Sequence, residues 1–294
     1  MNQQSTGCNK SQYDIRTFSY PVIGYVSQSG GAKYLPEDIE NQSKVGICTG
    51  ISLTQNAKKA LGKSWSADFQ YLIQKLEYDK NWMEGSSILT ALKVAKNVGL
   101  LPAEEWKWTT QNDRDMGYAW YIGKLQAIPQ TEIDRLKIIA GNYKIKAYAS
   151  VPITRDSMAE AIDNSKSGIL TMKLLGNEWY TSTSGIVTWA KEFIQPLRSP
   201  KTVISGHAMT DTNYDGYSFR IANTWSKDWC DGGTAYYNLK NYAPVECWAI
   251  FYNDLPSEIE KKLSERENIK GQILDLLQKI IVSITETIAL IAKL

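Results

Sequence analysis

The chain carries one histidine, His207, among 294 residues, so any reaction that needs an imidazole to move a proton must use it. A lone imidazole excludes multi-histidine metal sites and the HExxH pattern. The GxSxG, GxxxxGK[ST] and GxGxxG signatures of serine hydrolases, P-loops and dinucleotide sites are absent. What remains for histidine-assisted chemistry is a thiol nucleophile. Of the cysteines at 8, 48, 230 and 247, Cys48 opens an amphipathic stretch. Ile47, Ile51, Leu53, Ala57, Ala60 and Leu61 recur at spacings suited to one helical face, with Asn56, Lys58 and Lys59 mostly elsewhere, and predict a helix from about Cys48. Unpaired amides and the positive end of the helix dipole in its first turn favour thiolate over thiol.

His207 stands in SGHAMT, where Gly206 lets the chain turn tightly into a strand and the small Ser205 and Ala208 leave the ring open on one side. Sixteen residues on, Asn223 opens NTW at the end of the alternating YSFRIA segment. Two neighbouring antiparallel strands would bring its amide oxygen to one ring nitrogen and orient the imidazole, the third role in a nucleophile, base and orienter set. Trp225 would cover that contact and exclude water. Gln42 lies six residues before Cys48 in NQSKVGIC. A thiolate attacking a carbonyl creates an oxyanion that needs two donors, here the Cys48 backbone N–H and the Gln42 carboxamide, brought close by the loop through Gly46. Each residue also has a plain reading: a packed core histidine, a strand-end turn over a buried tryptophan, a solvated glutamine.

The elements that must position these groups follow in order. Residues 1–40 read as an irregular arm, with a turn at Ser29-Gly30-Gly31. Further helices are predicted over Ser66 to Tyr78 and Ser86 to Asn97, the latter stopped by Gly99 and Pro102. A Trp-rich loop (Trp106, Trp108, Trp120) leads to a strand pattern around Tyr143 to Tyr148 and a short helix around Asp156 to Asn164. Strands are then predicted at Gly168 to Leu175, Val203 to Thr210, Tyr217 to Thr224 and Thr234 to Leu239. Helices first and antiparallel strands second give an α+β class with two lobes and a cleft between them.

NQxxxGxC, GHA and N[ST]W, in that order, resemble the papain-like cysteine peptidases, and most closely their bacterial and phage members. The similarity covers about Leu35 to Asn253 and includes EGSSILTALKVAKNVGLLPAEEW and DWCDGGTAYYNL. The resemblance implies a helical lobe facing an antiparallel sheet or barrel lobe, with Cys48 as nucleophile, His207 as general base and acid, Asn223 as orienter and Gln42 as oxyanion donor. Cys48 and His207 lie 159 positions apart, against about 130–150 in that family. Departures are Thr49 for the usual Trp after the nucleophile, Val45 where many members have a cysteine, Ile47 for a small residue, and Ser226 for the usual Gly after NTW. The implied function is peptide-bond hydrolysis through a thiolate and a thioester. The alternatives are a silent papain-like scaffold assembled through its C-terminus and an amidase or endopeptidase acting on cell-wall peptide. The arm is shorter than the family's propeptides, about a hundred residues, and is expected at most to lie across the cleft as a latch.

Composition bounds the rest. Lys+Arg 33 against Asp+Glu 31 gives a net charge of +2 and no basic stripe, so no nucleic-acid partner is expected. No CxxC pair is present, and neither metal nor cofactor is expected. A free thiol for chemistry would leave three cysteines that cannot all pair, which fits a reducing compartment. The first twenty residues lack the basic head and apolar stretch of a secretory signal, and without that stretch the STGC around Cys8 is not read as a lipidation box. A cytoplasmic or virion-associated location is the expectation. The domain reading is an arm at 1–34, the peptidase-like domain at 35–255 and a helical tail at 256–294. In the tail, Ile273, Leu277, Ile280, Ile284, Thr287, Ile291 and Leu294 alternate steps of four and three, the spacing of a coiled-coil seam, which predicts self-association through 269–294. Asp275, Lys279 and Glu286 interrupt the apolar run, so a membrane span is disfavoured and a membrane-surface contact less favoured than self-association.

Overall fold

The computed structural model describes residues 5–12, 14, 17, 19–20, 29–175, 205–216, 218–240, 242–253 and 257–291. It divides into two compact units, Met1–Asp254 and Leu255–Leu294. The first unit opens with the short strand β1 (Cys8–Asn9) and a second, β2 (Gly30–Gly31). The helical part follows: α1 (Cys48–Leu61), α2 (Ala67–Ile73) continued as a π-helical turn to Asp79, β3 (Ser86–Ser87), α3 (Ile88–Asn97), α4 (Gln111–Asp115), α5 (Tyr118–Gln126) and α6 (Gln130–Ala140). The sheet part contains β4 (Ala147–Ser150), α7 (Arg155–Ser165), β5 (Ile169–Leu175), β6 (Ser205–Tyr214), β7 (Phe219–Ala222), β8 (Thr234–Tyr237) and β9 (Glu246–Phe251). Its strands run β4-β9-β5-β6-β7-β8, all antiparallel, with β2 added to β6.

The helix boundaries have local causes. Ser66, Ser87 and Thr154 each accept a backbone N–H from the first turn of the helix they precede, which satisfies one of the turn's orphan donors. Gly62, in the left-handed region, ends α1 with its N–H on the Lys58 carbonyl. Helix α1 is not half-exposed as its sequence pattern suggested: every residue from Cys48 to Ala57 is buried. Ile47 and Ile51 pack into the helical core with Phe69, Leu72 and Tyr121. Leu53 and Ala57 join a second cluster with Leu92, Leu170, Met172, Ala208 and Trp248, which ties α1 to the sheet. Asn56 is buried because its amide donates to the Ser167 and Gly168 carbonyls while Tyr252 donates to it.

Several sequence expectations shift. Ser86 and Ser87 pair with β1 rather than opening α3. The stretch expected as a Trp-rich loop holds part of three helices, α4 to α6, because buried Tyr121, Leu125, Ile133 and Leu136 form their inward face. The strand expected from Tyr143 begins at Ala147. Strand β9 went unpredicted although it sits between β4 and β5; it is buried except at its first residue, so its sequence shows no alternation. Val203, Tyr217 and Leu294 lie outside the described residues.

A buried ion pair closes the helical lobe near the site. Arg114 grips Asp68 through two bonds, Nε–Oδ1 at 3.0 Å and Nη2–Oδ2 at 2.8 Å, Tyr121 donates to Oδ1 at 2.6 Å, and Arg114 Nη1 reaches the Asn41 carbonyl at 3.1 Å. This fixes the segment entering Gln42. The second unit is the helix α8 (Ser257–Ile291), on which Ile273, Leu277, Ile280 and Ile284 are exposed. No helix among the described residues is long and apolar enough to cross a membrane. Asp68→Ala leaves Arg114 buried and unpaired, and is expected to destabilise the fold by about 3–5 kcal/mol in urea unfolding, with the midpoint shifted and the slope unchanged.

Candidate active site

Cys48 is the first residue of α1, and hydrogen bonds between α1 and β6 hold it in place. Ser52 Oγ donates to the Ala208 carbonyl at 2.9 Å, and Thr210 Oγ1 donates to the Ser52 carbonyl at 3.3 Å. Ala208, the residue after His207, shares a buried apolar cluster with Cys48.

His207 is fully buried on β6, not open on one side as its small neighbours suggested, since Trp225 lies over it with ring centroids 4.8 Å apart. Its Nε2–H donates to Asn223 Oδ1 at 2.7 Å, and Nδ1 has no hydrogen-bond partner. Asn223 follows β7, the neighbour of β6. Its Oδ1 also accepts the Thr224 backbone N–H at 2.7 Å. Gln42 is likewise buried, not solvated. Its Oε1 accepts from the Thr224 hydroxyl at 2.5 Å, and its Nε2 donates to the carbonyls of Val45 at 3.2 Å and Ser5 at 2.5 Å. The four expected residues therefore gather where α1 meets β6 and β7.

Two contributors escaped the sequence reading. Thr224, passed over as the middle of NTW, bridges Gln42 to the imidazole, its hydroxyl 3.3 Å from Nε2; its position beside Asn223 was the available signal. Lys173 is the cross-strand partner of His207 and is buried on Asp211 at 2.5 Å, with Thr171 and Tyr237 completing the cluster. A lysine amid GILTMKLL was its signal. The arm, expected at most to lie across the cleft, does bring Ser5 against Gln42, with Cys8 and Asn9 paired to β3. Thr49, the departure that removes the usual Trp, turns inward and donates to Gln74 Oε1 at 2.9 Å.

The electrostatics correct one expectation. The first turn of α1 was expected to favour thiolate, yet burial pushes the Cys48 thiol up to about 11, only partly opposed by the backbone amides of Ala208, Gly7, Thr49 and Cys48 itself. Burial, with the Lys173 charge adding to it, lowers His207 to about 4 despite the bond to Asn223. Desolvation outweighs the helix end, so this state holds a neutral thiol and a neutral imidazole, not an ion pair. All four cysteines are free.

A scan against protein-family models finds no match, and no curated protein matches. Solved structures do. Xylellain, a cysteine protease from Xylella fastidiosa, is similar with a TM-score of 0.67 at 21% identity, covering 86% of this chain and 98% of that one. Digestive procathepsin L 3 from the larval midgut of Tenebrio molitor is similar with a TM-score of 0.54 at 13% identity, over 80% of this chain and 73% of that one. The cysteine protease and lectin-like domains of Cwp84 from Clostridium difficile give a TM-score of 0.54 at 11% identity, over 87% and 57%. The chain has the two-lobe papain-like fold.

Because native His207 stays neutral to about pH 4 while an unfolded histidine binds a proton near pH 6.5, the unfolded state gains protons first as pH falls. Stability from this group is full above about pH 7 and is lost progressively toward pH 4. The loss is expected to be on the order of 3 kcal/mol, and it should be missing from His207→Gln in unfolding titrations from pH 7 to 4 run beside the parent.

Proposed function

We propose that the chain is a cysteine-type peptidase in which Cys48, His207, Asn223 and Gln42 act together. The observation that carries this reading is that the helix headed by Cys48 is stapled through Ser52, Ala208 and Thr210 to the strand of a histidine whose Nε2 is committed to Asn223. That bond fixes the tautomer and leaves Nδ1 as the basic nitrogen.

In the reaction, the thiol proton passes to Nδ1 as the sulfur attacks the peptide carbonyl carbon. The oxygen that becomes negative takes hydrogen bonds from Gln42 Nε2 and the Cys48 backbone N–H. Gln42 is suited to this, since the same Nε2 already donates to a peptide carbonyl, that of Ser5. His207 then gives its proton to the leaving amine, and the acyl group stays on sulfur as a thioester. Water, deprotonated by the same nitrogen, cleaves the thioester and restores the thiol. Asn223 keeps the ring in plane, and Trp225 shields the bond to it from water. Access of substrate and solvent to the pair removes the desolvation that now keeps both groups neutral. The partner of the site is a peptide or protein chain. For α8, the proposal is self-association through 269–294, carried by the exposed row Ile273, Leu277, Ile280 and Ile284 at coiled-coil spacing.

With a fluorogenic peptide library as substrate, Cys48→Ala should abolish turnover, and Gln42→Ala should lower kcat by about 10²–10³ with little change in KM. Unaltered turnover in Cys48→Ala would refute the assignment. In light scattering, the full chain should exceed monomer mass, and the double variant Leu277→Glu with Ile284→Glu should fall to monomer. An unchanged mass would remove the role given to the tail.

A further inference from the structure

At the end of α1 opposite Cys48, about 20 Å along the helix axis, lies a cavity of about 270 Å³ that the proposed chemistry does not use. Leu61, Leu100, Trp65, Tyr143 and Tyr252 line it, and two asparagines with Lys63 and Lys144 complete the lining. Its walls are fastened to one another through the main chain. The Leu100 N–H donates to the Tyr143 carbonyl at 3.0 Å, the Ser66 N–H to the Leu101 carbonyl at 2.9 Å, and the Ala103 N–H to the Ser64 carbonyl at 3.0 Å. Tyr252 is anchored by its hydroxyl on Asn56 Oδ1 at 2.8 Å. The cavity is therefore preformed, as small-molecule sites are.

The lining also says what chemistry fits. Trp65 is only 4% exposed, yet its Nε1–H has no hydrogen-bond acceptor among the described residues. A buried donor left unmet carries a desolvation cost, which an acceptor brought by a ligand would relieve. The charges on the lining are those of the two lysines, and no carboxylate lines it. Lys63 holds its ammonium 5.8 Å from the Trp65 ring centroid and 5.2 Å from that of Tyr143. Its carboxylate partner, Glu104 at 2.9 Å, is exposed, so that ion pair is weakly held and leaves the lysine able to turn to a second anion. The Trp65 and Tyr143 rings meet edge to face with centroids 5.1 Å apart, which offers a flat ligand an aromatic wall. A cavity of about 150 Å³ can hold benzene, and this larger one has room for a fused pair of rings.

We propose that this cavity is a binding site for a small aromatic carboxylate, whose rings pack against Trp65 and Tyr143 and whose carboxylate accepts from Trp65 Nε1 beside the two lysines. The site stands at the other end of α1 from the cleft, and it holds whether or not the chain is a peptidase.

Calorimetric titration of the full chain with β-naphthoate tests this. One site per chain is expected, with a Kd on the order of 10⁻⁴ M for a ligand of this size. Lys144→Glu, a charge reversal at an exposed position, should weaken binding by about tenfold or more. Trp65→Phe keeps the aromatic wall and removes the N–H, and should weaken it by about fivefold. The amine of the same shape, β-naphthylmethylamine, should not bind. Absence of binding heat up to about 5 mM naphthoate would overturn the proposal, as would parent-like affinity in Lys144→Glu or equal affinity for the amine. Parent-like affinity in a Trp65→Phe chain with native circular dichroism would overturn it too, and if that variant does not fold, Lys144→Glu alone decides.

Discussion

Two hydrogen bonds between a helix and a strand hold the site together: Ser52 to the Ala208 carbonyl, and Thr210 to the Ser52 carbonyl. Their four partners are buried on both sides, so each bond works in a low-dielectric setting, and losing one partner would strand the other. They fix how far α1 can slide along β6. Because Cys48 begins α1 and His207 lies within β6, the same two bonds set the distance between sulfur and imidazole. The packing of Leu53 and Ala57 against Leu170 and Ala208 supplies area but little directional control. The polar staples give the register.

Burial serves positioning and opposes reactivity in the same place. Asn223, Thr224 and Gln42 form a continuous hydrogen-bonded chain that orients the imidazole, and Trp225 closes over it. That enclosure also removes the water that would stabilise a thiolate or an imidazolium. Lys173 adds a positive charge on the neighbouring strand, held by Asp211. The candidate site as folded is ordered by its hydrogen bonds and electrostatically silent.

The positions proposed to bear the reactive atoms stood out because their chemistry is rare in this chain: one imidazole, and one cysteine at the head of an apolar-periodic stretch. The helix at 48 was legible from its apolar period. Strand β9 and helices α4 to α6 were not. A strand buried on both faces has no alternation to read, and short helices with tryptophans at their edges look like loop sequence. The burial of Asn56 and Gln42 was also hidden, because it depends on carbonyls of Ser167, Gly168 and Ser5, over a hundred residues away or on the arm. Polar residues satisfied by distant backbone leave no local pattern. The alternation of YSFRIA did predict β7, which brings Asn223 to His207.

Trp225 gives the molecule an optical property of its own. Its indole stacks near the imidazole on one side and donates to the Ser5 carbonyl through Nε1. Departure of the first residues would wet that nitrogen and red-shift its emission, and a protonated imidazole beneath it would quench the light by electron transfer. Within the emission of the chain's ten tryptophans, this one responds both to whether its indole nitrogen is covered and to the charge its histidine carries.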